Sequence, residues 1–101
     1  MKTLYLAGPY RAGHGRSVHI NIYNARAHAA DLWKKGYAVF CPHMNSAHLD
    51  GTVPDEIFLK ADIIFMMKCD VVAMMPNWKE SAGAIKEHEI AFQLNKEIIY
   101  L

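Results

Sequence analysis

Asp70-Val71-Val72-Ala73-Met74-Met75 places five apolar residues in unbroken succession at positions 71–75. A strand with one wet face alternates apolar and polar residues, whereas an unbroken run is how a strand covered on both faces reads. Working outward, three further runs share this character: Thr3–Ala7, Tyr37–Cys41 and Glu97–Leu101. Helix-like stretches separate them. Val18–Lys35 carries an inner stripe of Ile22, Ala25, Ala29, Leu32 and Trp33, and Gly36 stands where a C-cap glycine belongs. Pro54–Lys68 opens with a proline suited to the first helical position, followed by Asp55 and Glu56 at the positive end of the helix. Ser81–Asn95 opens with a residue suited to N-capping.

The order βαβαβαβ joins successive strands through helices, so the strands run parallel with right-handed crossovers. The expected fold is α/β: a three-layer, open, doubly wound parallel sheet of four strands and three helices, flavodoxin-like or Rossmann-like, in a single domain over residues 1–101. Ligands of such sheets sit beyond the C-terminal ends of the strands, where strand order reverses. The loops Gly8–Ser17, Pro42–Val53 and Pro76–Gly83 therefore hold the expected site.

Composition narrows the partners. With 101 residues, a formal charge of +1, 52% apolar and 21% charged residues, the chain reads as one ordinary globular domain. It lacks the basic footprint of a protein that grips a nucleic-acid polymer; a single nucleotide is not excluded. No run of about 18 apolar residues offers a membrane span, and Met1-Lys2 leads straight into a short strand rather than a signal peptide. Cys41 and Cys69 lie in apolar surroundings and read as buried free thiols, which suits a cytoplasmic setting. A domain this small leaves much apolar surface exposed, and Ile85 and Phe92 point away from the core side of their helix, so a homo-oligomer is expected.

Two acids break the pattern of the helices. At about 100° per residue, Gly83, Ala84, Ile90, Ala91 and Leu94 all lie within roughly 60° of Glu87 on the third helix. On the second, Phe58, Leu59, Phe65, Met66 and Cys69 surround Asp62 in the same way. An inward carboxylate is unfavourable by several kcal/mol unless compensated. Single inward acids usually cap a backbone or pair with lysine. Two of them, on helices flanking one strand, point to a shared cleft where paired carboxylates divide nucleophilic and acid–base work.

Gly8-Pro9-Tyr10-Arg11 and Ser81-Ala82-Gly83 offer two places for an anion, through backbone amides at a helix start and a guanidinium fork. The glycines match neither a dinucleotide fingerprint nor a P-loop, and serve equally as turn residues. His43 and His48 fit no common zinc spacing, so no metal is expected; His43, after a strand end, reads as a substrate contact. His88 adjoins Glu87 but is offset on the wheel and reads as a half-buried structural histidine.

These residues together resemble the nucleoside 2-deoxyribosyltransferase-like family, which includes deoxyribonucleoside 5′-monophosphate N-glycosidases and short phage and bacterial members. The resemblance spans nearly the whole chain. It is carried by Leu6-Ala7-Gly8-Pro9-Tyr10, by Asn21, Ala25, Ala29, Leu32 and Gly36, by Cys69-Asp70-Val71-Val72-Ala73, and above all by Ser81, Gly83, Glu87 and Ala91. It implies that Glu87 is the nucleophile and Asp62 the second carboxylate. It further implies Ser81, Gly83 and Arg11 as phosphate ligands. Tyr5, Gly8, Tyr10, His43 and Asp70 complete the expected substrate contacts. No cofactor is implied. The chain ends on its fourth strand where many members continue, and Pro42–Gly51 follows the short members.

The resulting expectation is an enzyme that cleaves the N-glycosidic bond of a nucleoside or nucleoside 5′-monophosphate with retention, through a glycosyl-Glu87 intermediate resolved by water or by a second base. The alternative from a different class is a nucleotide-binding or sensing module of the same fold without catalysis. A receiver-like signalling domain needs clustered acids after the first strand, and Ala7-Gly8-Pro9 has none.

Overall fold

A computed structural model describes residues Met1–Leu101. Strand β1 (Thr3–Ala7) leads to helix α1 (Val18–Lys34), β2 (Ala38–Phe40), the single turn α2 (Pro42–Asn45), α3 (Asp55–Lys68), β3 (Val71–Met74), α4 (Ala82–Gln93) and β4 (Glu97–Tyr100). A 3-10 turn, Trp78–Glu80, precedes α4. All strand pairings are parallel and the spatial order is β2-β1-β3-β4, so the sheet is α/β, open and doubly wound. The chain steps from β1 to β2 on one side, then to β3 on the other side of β1, and the order reverses there.

Alternation along β1 and β3 divides the core into two layers. Leu4, Leu6, Val71 and Ala73 meet Ala25, Ala29 and Leu32 of α1. Tyr5, Ala7, Val72 and Met74 meet Met66 of α3 and Ala84 and Ala91 of α4. The unbroken apolar run at 71–75 is buried throughout, as a central strand between two helical layers requires.

Four expectations need correcting. A fourth helix, α2, occupies the start of the expected Pro42–Val53 loop, because Pro42 at its first position presets the helical φ and Ser46 Oγ returns a bond to the Pro42 carbonyl. Trp33 is 54% exposed; it lies along the edge of the sheet beside Ala38, Val39 and Phe40 of β2. Leu94 is exposed because α4 ends at Gln93. The apolar residues expected to bury around Asp62 do so only in part: Met66 and Cys69 are buried, but Leu59 and Phe65 are exposed, since only part of α3's circumference faces the sheet. No helix is long and apolar enough to cross a membrane.

Candidate active site

Tyr5 is fully buried in the centre of β1, facing α3 and α4. Its hydroxyl donates to Glu87 Oε2 on α4. Glu87 is 8% exposed, and burial pushes its carboxyl up to about 7. The Tyr5 hydrogen bond holds it down, and the negative charge of Asp62 adds to the rise. Burial raises Asp62 on α3 to about 6. The Tyr5 hydroxyl itself is driven far above its ordinary range by burial and by both carboxylates, so it remains a donor.

The segment after β1 folds over this pair. Gly8 passes so close to Met75 that an added Cβ would lie 2.9 Å from Met75 Cβ and Cγ. The buried Asn21 of α1 donates its amide to the carbonyls of Tyr10 at 3.1 Å and Arg11 at 2.9 Å, fixing the loop. His43 Nε2 lies 2.7 Å from the Pro9 carbonyl, which can only accept, so that nitrogen carries the proton. Burial lowers the His43 pKa and keeps the ring neutral, and its Nδ1 is buried with no partner.

Three side-chain pairs tie the rim. Tyr10 donates to Asp50 at 2.6 Å, and burial together with this bond pushes the Tyr10 hydroxyl up to about 12. Arg11 pairs with Asp55 at the start of α3 at 2.5 Å. Arg16 Nη2 donates to Glu80. The Arg16 backbone closes a two-residue hairpin with Gly13 through two 3.0 Å hydrogen bonds, its tip formed by His14 and Gly15 in left-handed conformations. Ser81 accepts from the Ala84 amide at 3.1 Å and caps α4.

These elements line an open cavity of about 410 Å³ at the C-terminal ends of the strands. The structure brings together Tyr5, Gly8, Tyr10, Arg11, His43, Asp62, Ser81, Gly83 and Glu87 on its wall. Asp70 does not join them. It lies just before β3, at the opposite end of the parallel sheet, where Oδ2 accepts from the backbone and hydroxyl of Thr3 at 3.0 and 3.1 Å. A residue that opens a parallel strand is a strand's length from the loops that follow one, so Asp70 ties strand starts instead of contacting a ligand in this cavity.

The cavity also recruits Arg16, Asp50, Asp55 and Glu80, none of which was expected at the site from the sequence. Three of them fall within the expected loops, but nothing in their local spacing marks them. His88 stacks on Trp78 with ring centroids 4.3 Å apart and contacts the Tyr100 hydroxyl at 2.7 Å, a structural histidine behind the site. No three His, Cys, Asp or Glu side chains are grouped to hold a metal.

Chemically, the arrangement offers a buried carboxylate with a fixed phenolic donor, a second carboxyl close enough to perturb it, and cationic groups at the rim. A family model described as "Domain of unknown function (DUF4406)" matches residues 2–100. No curated protein matches the chain.

Proposed function

The chain belongs to the DUF4406 family, and from its cavity we propose that it breaks the N-glycosidic bond of a nucleoside or nucleoside 5′-monophosphate, with Glu87 as nucleophile. The observation that carries this reading is the Tyr5-bound Glu87 carboxylate, buried beside Asp62 on the wall of one cavity. Ionised Glu87 attacks C1′ as the base departs with the electrons of the C–N bond. Charge at the sugar is stabilised by the nearby carboxylate in a low-dielectric site. Asp62 holds a sugar hydroxyl or passes a proton to the departing base. Water then opens the glycosyl ester, giving a hydrolase, or a second base does so, giving a transferase. Ser81, Gly83 and a rim arginine hold the phosphate, while Tyr10 and His43 border the base and sugar. The resemblance to nucleoside 2-deoxyribosyltransferase-like proteins supports the same roles.

The test is release of free base, followed by chromatography, from a panel of nucleosides and 5′-monophosphates. Addition of a second base separates transfer from hydrolysis. Base release at the full rate by Glu87→Ala excludes the mechanism.

A second reading is a binding module without turnover, in which the hydrogen bond from the Tyr5 hydroxyl to Glu87 is a structural tie between β1 and α4. Tight nucleotide binding with no base released over hours would select this reading.

The exposed apolar residues of α3 and α4 support assembly into a homo-oligomer: Ile57, Ile64, Phe65 and Met67 on the first, Ile85 and Phe92 on the second.

A further inference from the structure

Arg16 lines the cavity wall, and the two N–H groups on one edge of its guanidinium are treated unequally. Nη2 donates to Glu80. Nε, on the same edge, is buried and donates to nothing. Both residues line the cavity. A guanidinium edge carries two parallel N–H bonds and fits an anion that offers two oxygens at once; a carboxylate meeting it through one oxygen leaves a buried donor unmatched. A phosphomonoester has three terminal oxygens and satisfies both. Glu80 directly precedes Ser81, so the ion pair holds the guanidinium beside the capped start of α4. Arg11 is less suited: its side chain is 65% exposed, against 28% for Arg16.

We propose that Arg16, not Arg11, anchors the phosphate of the bound nucleotide, and that Glu80 is a built-in competitor for the same guanidinium. On binding, two phosphate oxygens accept from Nε and Nη2 together, and the Glu80 carboxylate turns out to solvent. The proposal rests on the nucleotide reading of the cavity and names the group that selects 5′-phosphates over free nucleosides.

Calorimetric titration of the full chain with inorganic phosphate, 2-deoxyribose 5-phosphate and 2-deoxyribose tests it without reference to the base. Wild type should bind both phosphates. Arg16→Gln should weaken them on the order of ten- to a hundred-fold while leaving 2-deoxyribose within about twofold. Arg16→Lys should recover only part of the loss, because an ammonium has no fork. Glu80→Gln should tighten both phosphates several-fold, an effect that damage to the fold cannot imitate. Unchanged phosphate affinity in Arg16→Gln, no phosphate binding by wild type, or weaker binding in Glu80→Gln overturns the proposal. Base release is a separate readout. If no nucleotide loses its base yet the Arg16 and Glu80 effects appear, the glycosidase reading fails and the anchor stands. If base is released and phosphate affinity ignores Arg16, the reverse holds.

Discussion

In the proposed mechanism, the protonation of Glu87 links activity to stability, in ways that separate by pH. As the proposed nucleophile it must be ionised, so base release should fall as pH drops through about 7. The Tyr5 hydroxyl stabilises the charged form, so Tyr5→Phe should move that acidic limb to higher pH, a shift read from the kcat/KM profile. Glu87→Gln should lower kcat on the order of 10⁴-fold or more. The same substitution should stabilise the fold. Between the ordinary carboxyl value of 4.5 and about 7, the folded state retains a proton that the unfolded chain has released. Stability therefore falls as pH rises through that window. Glu87→Gln removes this penalty, on the order of 3 kcal/mol, and its melting temperature should exceed wild type by roughly 10 °C at pH 8 and by little at pH 4. Equal gains at both pH values would count against a buried ionised carboxylate. Glu87 and Asp62 were legible in the sequence because helical periodicity alone places a charge among core residues. Arg16 and Glu80 were not, because their partnership spans 64 positions and no local pattern encodes it.

At the scale of elements, the site depends on how two connections leave the sheet. Gly8 is required by contact with Met75, not by its φ, so Gly8→Ala should lower stability by about 1–3 kcal/mol through forced displacement of the loop or of Met75. Chemical denaturation measures it; a neutral result would mean that Met75 repacks freely. Ser81→Ala removes the cap of α4 and should lower stability by about 1 kcal/mol. Strand and helix identities were readable from the four apolar runs and the caps, and their ends were less so. The α2 turn was read as loop because four residues carry too little periodicity to register. Asp70 was expected at the substrate, although strand polarity already puts a residue just before β3 at the far end of the sheet.

The whole molecule has one helix, α1, across one face of the sheet and two, α3 and α4, across the other. The two-helix layer leaves large apolar side chains in solvent, Ile64 and Phe92 among them. If subunits meet there, sedimentation equilibrium should give a multiple of the chain mass, and Ile64→Glu with Phe92→Glu should reduce it to that of one chain. A wild-type monomer at micromolar concentration would remove this expectation. The strand order also has a consequence for synthesis. The central strand, β1, is the first of the nine-element fold to leave the ribosome, yet its partner β3 begins 68 residues later, at Val71. Until then, Leu4-Tyr5-Leu6-Ala7 lacks the neighbour that covers one of its edges, and β2 alone is available to pair with it.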